Sequence, residues 1–309
     1  VIFKDRFAGP ALMLRTVFLR SSNSIMKKPG DYPVHVLPEG SFIASDNSAA
    51  FGTHAPNHRI DFYAIVWFSE TRGLHLIDFD PFPVKKNLVY LIGRNQVHSI
   101  PVGRLPLART VVFSAALFER IEESFLRQLF LPFSNSGIGI PAAMLQPLVK
   151  LFDLILLEYH GAADEGLLLK YLGAFLTQLY RFSGRRDSVC GGIDQRIVRL
   201  FQLLQSNYKV EKSAQYYAQQ IGLTPKRINE LLREQVGSTI SQLIYRLLVI
   251  EAKRELFHQE LSVKEIAYEL GFSEQSYFVR FFRKHTGQTP EAFRKVAVKS
   301  AGSGVLMFK

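Results

Sequence analysis

The chain has 309 residues and a mass of 35.1 kDa, enough for two domains with full cores, so its stability need not come from disulfides or a metal staple. Its one cysteine, Cys190, excludes a disulfide within the chain and suits a reducing compartment. The net charge of +11 is uneven: from Ile193 onward 18 Lys+Arg stand against 11 Asp+Glu, a basic balance of the kind that phosphate neutralisation needs.

No apolar run reaches the ~18 residues of a membrane helix. The opening VIFKDRFAGPALMLRTVFLR is a poor leader peptide: its apolar part, Phe7 to Leu14, contains Pro10 and is followed by Arg15 and Arg20. Residues 1–25 are expected to form a poorly ordered extension, with Met26 a candidate for the natural start. From about Pro33 to Phe113 the pattern has period two. VHVL, RIDFYAIVWF, GLHLIDF, NLVYLI, VHSIPV and ARTVVF are short β-branched and aromatic runs, punctuated by PEG, SETRG, DFDPFP and GRNQ. Strands in this number without an intervening helix predict an antiparallel barrel or roll.

Three amphipathic helices are expected next, near Ala115–Phe130, Ala142–Tyr159 and Glu165–Phe182. The apolar stripes at 142–182 exceed what one thin helical layer needs. They fit either packing against the barrel or a contact between two copies of the chain. GRRDSVCGG, at 184–192, is polar and without periodicity, and is expected to be a linker.

Beyond it a pattern occurs twice. In SVKEIAYELGFSEQSYFVRFFRKHTG, Val263, Ile266, Ala267 and Leu270 fall at helical spacing behind Ser262 as N-cap, with Glu265 three residues on. Gly271 ends that helix and Ser273 is expected to cap the next, which buries Phe278, Phe281 and Phe282 and turns Ser276, Arg280 and Arg283 outward. The earlier copy places Ala218, Ile221 and Gly222 at an offset of 49, then Ile228, Leu231, Leu232 and Gly237 at an offset of 50. Thr224 caps its outer helix with Pro225 in the first position, and Lys226, Glu230 and Arg233 face outward. Thr239–Phe257, between the copies, reads as one helix about 27 Å long, a spacer suited to two major-groove segments roughly 34 Å apart.

Two helix-turn-helix units joined by a long helix and ending in GFSEQSYFVRFFRKHTGQTPEAFR resemble the DNA-binding domain of the AraC/XylS family of bacterial transcription regulators. The resemblance implies a seven-helix module, promoter binding as an activator or, less often, a repressor, and a cytoplasmic, nucleoid-associated location. The segments HRIDFYAIVWF and QVHSI look like the paired signature segments of a cupin-like barrel, although Arg94-Asn95 stands where Pro-Gly is usual. The fold expected is therefore α+β in two domains. A cupin-like antiparallel β-barrel with a helical pair (26–183) serves effector binding and dimerisation, and an all-α double helix-turn-helix (193–298) follows, with a tail at 299–309.

Base reading is assigned to Lys226, Arg227 and Asn229 in the first unit and to Gln275, Ser276 and Arg280 in the second, residue types that pair with guanine and adenine edges. Thr224, Arg233, Arg283 and Lys284 are placed on phosphates. Glu230 occupies the position equivalent to Arg280, where it either accepts from cytosine or weakens the first unit. A small-molecule effector is expected against His58, Tyr63, Trp67 and His75. Of His54, His58, His75 and His98, only His58 begins the two-histidine spacing of a metal-binding cupin, and Ile60 stands where its partner should be, so neither metal nor cofactor is expected.

The partners that follow are double-stranded promoter DNA, a small effector, RNA polymerase and a second copy docking through 142–182, with no membrane. Two alternatives stay open. One is a ligand-independent regulator with a filled barrel, controlled by abundance or a protein partner. The other is a cupin-type enzyme fused to a DNA-binding domain, for which the chain offers only the linker thiol Cys190 and no catalytic cluster.

Overall fold

The computed structural model describes residues 34–47, 55–101, 104–132, 135–183 and 195–303. The predicted extension, the predicted linker, Cys190 and His54 lie outside them. The chain forms two compact units that part between Ser183 and Gly184.

Among the described residues the first unit holds ten strands in two sheets. One has the order β1 (Val34–His35), β3 (Ala55–Ile60), β8 (Val97–Ile100), β5 (Leu74–Ile77), β6 (Asp80–Pro83). The other has the order β10 (Ile138–Gly139), β7 (Leu88–Ile92), β4 (Tyr63–Phe68), β9 (Ala108–Phe113), β2 (Phe42–Ser45). All pairings are antiparallel except the short β1–β3 pair. The strands thus make two facing antiparallel sheets rather than one closed barrel.

Period two decides what each face meets. Along β4, Ala64, Val66 and Phe68 join Tyr90, Ile92 and Val112 against Ile60 and Ile77 of the opposite sheet, forming the core between the sheets. Tyr63 and Trp67 point the other way. Tyr63 stacks on Phe118 at 3.7 Å between centroids, and Trp67 meets Phe152 at 6.2 Å and Phe175 at 6.0 Å. Those two phenylalanines belong to α2 (Leu145–His160) and α3 (Glu165–Phe182), which cover the outer face of the second sheet. A sheet buried on both faces needs nearly continuous apolar strands, and YAIVWF and LVYLI are such runs.

Several local expectations need correction. RIDFYAIVWF is two strands in different sheets: the chain turns at Asp61, whose N–H donates to His35 O at 2.8 Å and whose carboxylate binds Arg94. DFDPFP is not all turn. Asp78 and Phe79 take left-handed backbone angles, and Asp80–Pro83 is the returning strand of a hairpin. Strand β2, in SFIAS, was not anticipated. The expected helix 115–130 divides into α1 (Ala115–Glu119) and a 3₁₀ segment (Ser124–Phe130), because Arg127 folds back to the Glu119 carboxylate at 2.9 Å and to Ile121 O at 3.3 Å. At Arg94-Asn95 the turn survives without glycine: Asn95 takes φ +68°, and Gln96 N–H donates to Gly93 O at 3.2 Å.

The second unit contains only helices among its described residues: α4 (Gln195–Asn207), α5 (Ala214–Gln220), α6 (Pro225–Val236), α7 (Ile240–His258), α8 (Val263–Glu269), α9 (Gln275–Thr286) and α10 (Pro290–Ser303). Its core runs from Ile197, Leu200 and Phe201 through Leu243, Ile244 and Leu248 to Phe282 and Phe293.

Trp67 is the single tryptophan and lies between Phe152 and Phe175, so its fluorescence reports unfolding of the first unit. Phe175→Ala is expected to destabilise that transition by about 3–5 kcal/mol in urea titrations. Leu157→Ala, at a position 72 % exposed, should change it by no more than about 0.5 kcal/mol.

Candidate nucleic-acid interface

Each helix-turn-helix is built from its caps inward. In the first, Ser213 Oγ accepts from Gln215 N–H at 3.2 Å and starts α5, which buries Tyr217 and Ala218. Gly222 turns the chain at φ +69°, and Leu223 N–H returns to Ala218 O at 2.9 Å. Thr224 Oγ1 then accepts from Arg227 N–H at 3.2 Å, Pro225 takes the first position of α6, and Gly237 closes the helix in a left-handed conformation. The second repeats it. Ser262 and Glu265 form a reciprocal capping box, Gly271 turns at φ +69°, Phe272 N–H returns to Ala267 O at 2.9 Å, and Gly287 closes α9.

The cap of α9 is Glu274 rather than Ser273. The change of offset from 49 to 50 accounts for it, since Glu274 stands fifty residues after Thr224. The Glu274 side chain makes no capping bond to the helix backbone; its carboxylate accepts from Ser276 Oγ at 3.0 Å. An acid at a helix N-terminus is also favoured by the helix dipole.

On the outer side of α6, Lys226, Arg227 and Arg233 are exposed, as is Thr224 just before it. Arg227 Nη1 lies 3.2 Å from Glu230, so the acid that interrupts this basic face is neutralised by its neighbour one turn away. Asn229 does not stand free on this face: its Oδ1 accepts from Ile240 N–H at 3.0 Å and ties α6 to the start of α7. On α9, Ser276, Arg280, Arg283 and Lys284 are exposed and Gln275 is half-buried. Phe278 and Phe282 are core, whereas Phe281, expected beside them, is half-buried against Phe272, Tyr245 and His285.

Sequence reasoning missed two aromatics here. Tyr277 is 49 % exposed with the Arg280 guanidinium 4.9 Å from its ring centroid, and Tyr268 is 51 % exposed on α8. Both fall off the apolar stripes, and an off-stripe tyrosine in a short amphipathic helix is the signal that would have found them.

The four residues expected to line one effector pocket do not share one. Tyr63 and Trp67 face the helical layer, for the reason of register given above. His58 and His75 lie on the first sheet, where His35, His58, His98 and His75 form a row across four neighbouring strands. Ring centroids are 4.6 Å apart for His35–His58 and 4.1 Å for His58–His98, and His75 Nε2 lies 3.4 Å from His98 Nδ1. The row runs from half-buried His35 on the edge strand to fully buried His75, which packs against Phe68 and Tyr90. Burial lowers the pKa of His35 to about 4. Burial, then the neighbouring His58, lowers that of His75 to about 3 and that of His98 well below its ordinary value. Among the described residues no three His, Cys, Asp or Glu side chains come together as metal ligands.

The chain is similar in sequence to known helix-turn-helix proteins. A family model described as a helix-turn-helix domain matches residues 217–296, which span α6 to α9 and the ends on either side. The HTH-type transcriptional activator RhaS of Pectobacterium atrosepticum is 26 % identical over 257 residues, covering 79 % of this chain and 89 % of that protein. RhaS of Yersinia pestis is 25 % identical over 249 residues, covering 77 % and 89 %. Among solved structures, unsaturated-fatty-acid-bound ToxT from Vibrio cholerae aligns over 83 % of this chain and 95 % of its own at 15 % identity and a TM-score of 0.42. A duplicated, basic-faced helix-turn-helix thus follows a two-sheet unit in a chain that is similar, along most of its length, to HTH-type transcriptional activators.

Proposed function

We propose that the chain activates transcription by setting α6 and α9 into successive major grooves of promoter DNA. The observation that carries this is the pair of outer helices whose exposed faces hold Lys226, Arg227 and Arg233 on one and Arg280, Arg283 and Lys284 on the other. In this reading Arg280, held flat by Tyr277, makes bidentate contact with guanine, and Gln275 and Ser276 read the neighbouring bases. Lys226 and Arg227 read bases in the first unit. Thr224, Arg233, Arg283 and Lys284 meet phosphates. Asn229 is withdrawn from base reading because its carbonyl oxygen is committed to Ile240.

Residues 193–298 then form the DNA-binding domain, and the first unit supplies control. A small polar effector entering beside His35 would find neutral imidazoles that both donate and accept. The apolar filling between the sheets, with Phe68, Ile77 and Ile92 all without exposed surface, favours a second reading, in which the first unit binds no ligand and control comes from abundance or a protein partner. RNA polymerase is the partner that activation requires. Leu154 and Leu157, both exposed on α2, support docking of a second copy through 142–182. The role assigned is binding in the cytoplasm, with no catalytic step; among the described residues no helix is long and apolar enough to cross a membrane.

Arg280→Ala is expected to weaken binding to a selected operator by about 1–3 kcal/mol and to relax preference at one base pair. Lys284→Ala should weaken all duplexes alike and reduce the salt slope by about one. Equal loss of preference in the two variants, measured by fluorescence anisotropy on matched and scrambled duplexes, would reverse these roles. The histidine row predicts a pH effect on the first unit. The unfolded chain takes up protons near 6.5, while the fold refuses them down to about 4 at His35 and about 3 at His75. Stability reported by Trp67 should therefore fall as pH drops from 6.5 to about 3, and His75→Gln should flatten that fall.

A further inference from the structure

The long helix α7 is bounded on both sides by left-handed residues, Gly237 before its cap at φ +65° and Gln259 after it at φ +60°. Each end is therefore a sharp change of chain direction, and the helix by itself does not fix how the two helix-turn-helix units are rotated. Side chains in the first third of the helix add ties: Asn229 to Ile240 for the first unit, and Tyr245 against Phe281 and His285 for the second. A third tie starts from outside the helix. The segment that leads into α5 is held by Tyr217, whose hydroxyl donates to Glu211 O at 2.8 Å, and by Asn207 O, which accepts from Val210 and Glu211 N–H at 3.0 and 2.7 Å. From it Lys209 Nζ reaches Glu251 Oε1 on α7 at 2.8 Å, and Arg254 Nη1 reaches the other carboxylate oxygen at 3.3 Å. Glu251 and Arg254 are both buried, so this carboxylate is neutralised within the protein.

The same segment touches the turn of the second unit. A Cβ on Gly271 would lie 2.1 Å from Lys209 O, so the two backbones are in direct contact there and only glycine admits it. Lys212 Nζ donates to Gly271 O and lies 4.2 Å from the Phe272 ring centroid. One short segment thus grips the spacer helix at Glu251 and the second turn at Gly271, while its own C-terminal end begins the first helix-turn-helix.

We propose that Lys209, Lys212 and Glu251 are positioning residues that lock the two reading helices at one separation and rotation, so that the chain accepts two half-sites at a single spacing. This rests on the DNA-binding reading above. The test uses the full chain and an operator selected from random duplexes, with one base pair inserted between its half-sites; this turns one site by about 34° and moves it about 3.4 Å. The wild-type chain is expected to lose about tenfold or more in affinity on that insertion. Lys212→Met and Glu251→Gln should each cut the loss to about threefold while keeping affinity for the unaltered operator within about threefold. A structural role alone would lower affinity for every operator and leave the ratio between the two spacings unchanged. The proposal is overturned if the variants lose as much as wild type on insertion, or if wild type loses nothing. Should Glu251→Gln unfold, Lys212→Met, which leaves the buried carboxylate paired, decides the matter. A chain that captures no duplex at all removes the DNA-binding reading itself, and this inference with it.

Discussion

Both reading helices depend on one contact made twice. An alanine without exposed surface, Ala218 or Ala267, lies in the first helix of each pair, and the residue after a left-handed glycine returns its N–H to that alanine's carbonyl at 2.9 Å. A small side chain lets the two short helices approach, and the returning hydrogen bond fixes the direction in which the second one leaves. Neither α5 nor α8, at seven residues each, would persist alone in water. Their stability comes from this crossing and from the apolar residues it buries, Ile228 and Leu232 in one unit and Phe278 and Phe282 in the other. The outward faces are free to carry charge because the inward faces do the holding.

The two copies have diverged in chemistry more than in geometry. Caps, turn glycines and closing glycines coincide, yet the first outer face carries an Arg227–Glu230 pair where the second has Arg280 beside Tyr277. An arginine already paired with an acid must exchange that partner before it meets a base or phosphate, whereas one stacked on a ring is oriented without being neutralised. In the proposed DNA-binding role, the second unit is therefore the better prepared for specific contact, and the first for weaker contact that gains from being tethered.

In the other unit the same economy of register assigns roles. Even-numbered residues of β4 fill the space between the sheets and odd-numbered ones meet the helical layer, so a single strand serves two cores. The histidines of the first sheet are left as a polar row beside the apolar filling between the sheets. Burial holds the row's most enclosed members uncharged at neutral pH.

Periodicity and turn chemistry, both local, were enough to place the duplicated helices, their caps at Ser262 and Thr224, the spacer from Thr239 and the basic outer residues in the sequence alone. The strand region was legible as strands, and the pairing of inward and outward residues followed from period two. What local pattern could not hold is which strand joins which sheet. The break at Asp61 depends on Arg94 and His35, distant in sequence, and this is why Tyr63 and Trp67 were grouped with His58 and His75 when they face opposite ways. Asn229 looked like a base reader because its helical position is outward, and only the start of α7 packed beside it shows its oxygen already taken. The grip of Lys209 and Lys212 on Glu251 and Gly271 is of the same kind. It joins residues 42 and 59 positions apart, a relation that exists only once the chain has folded.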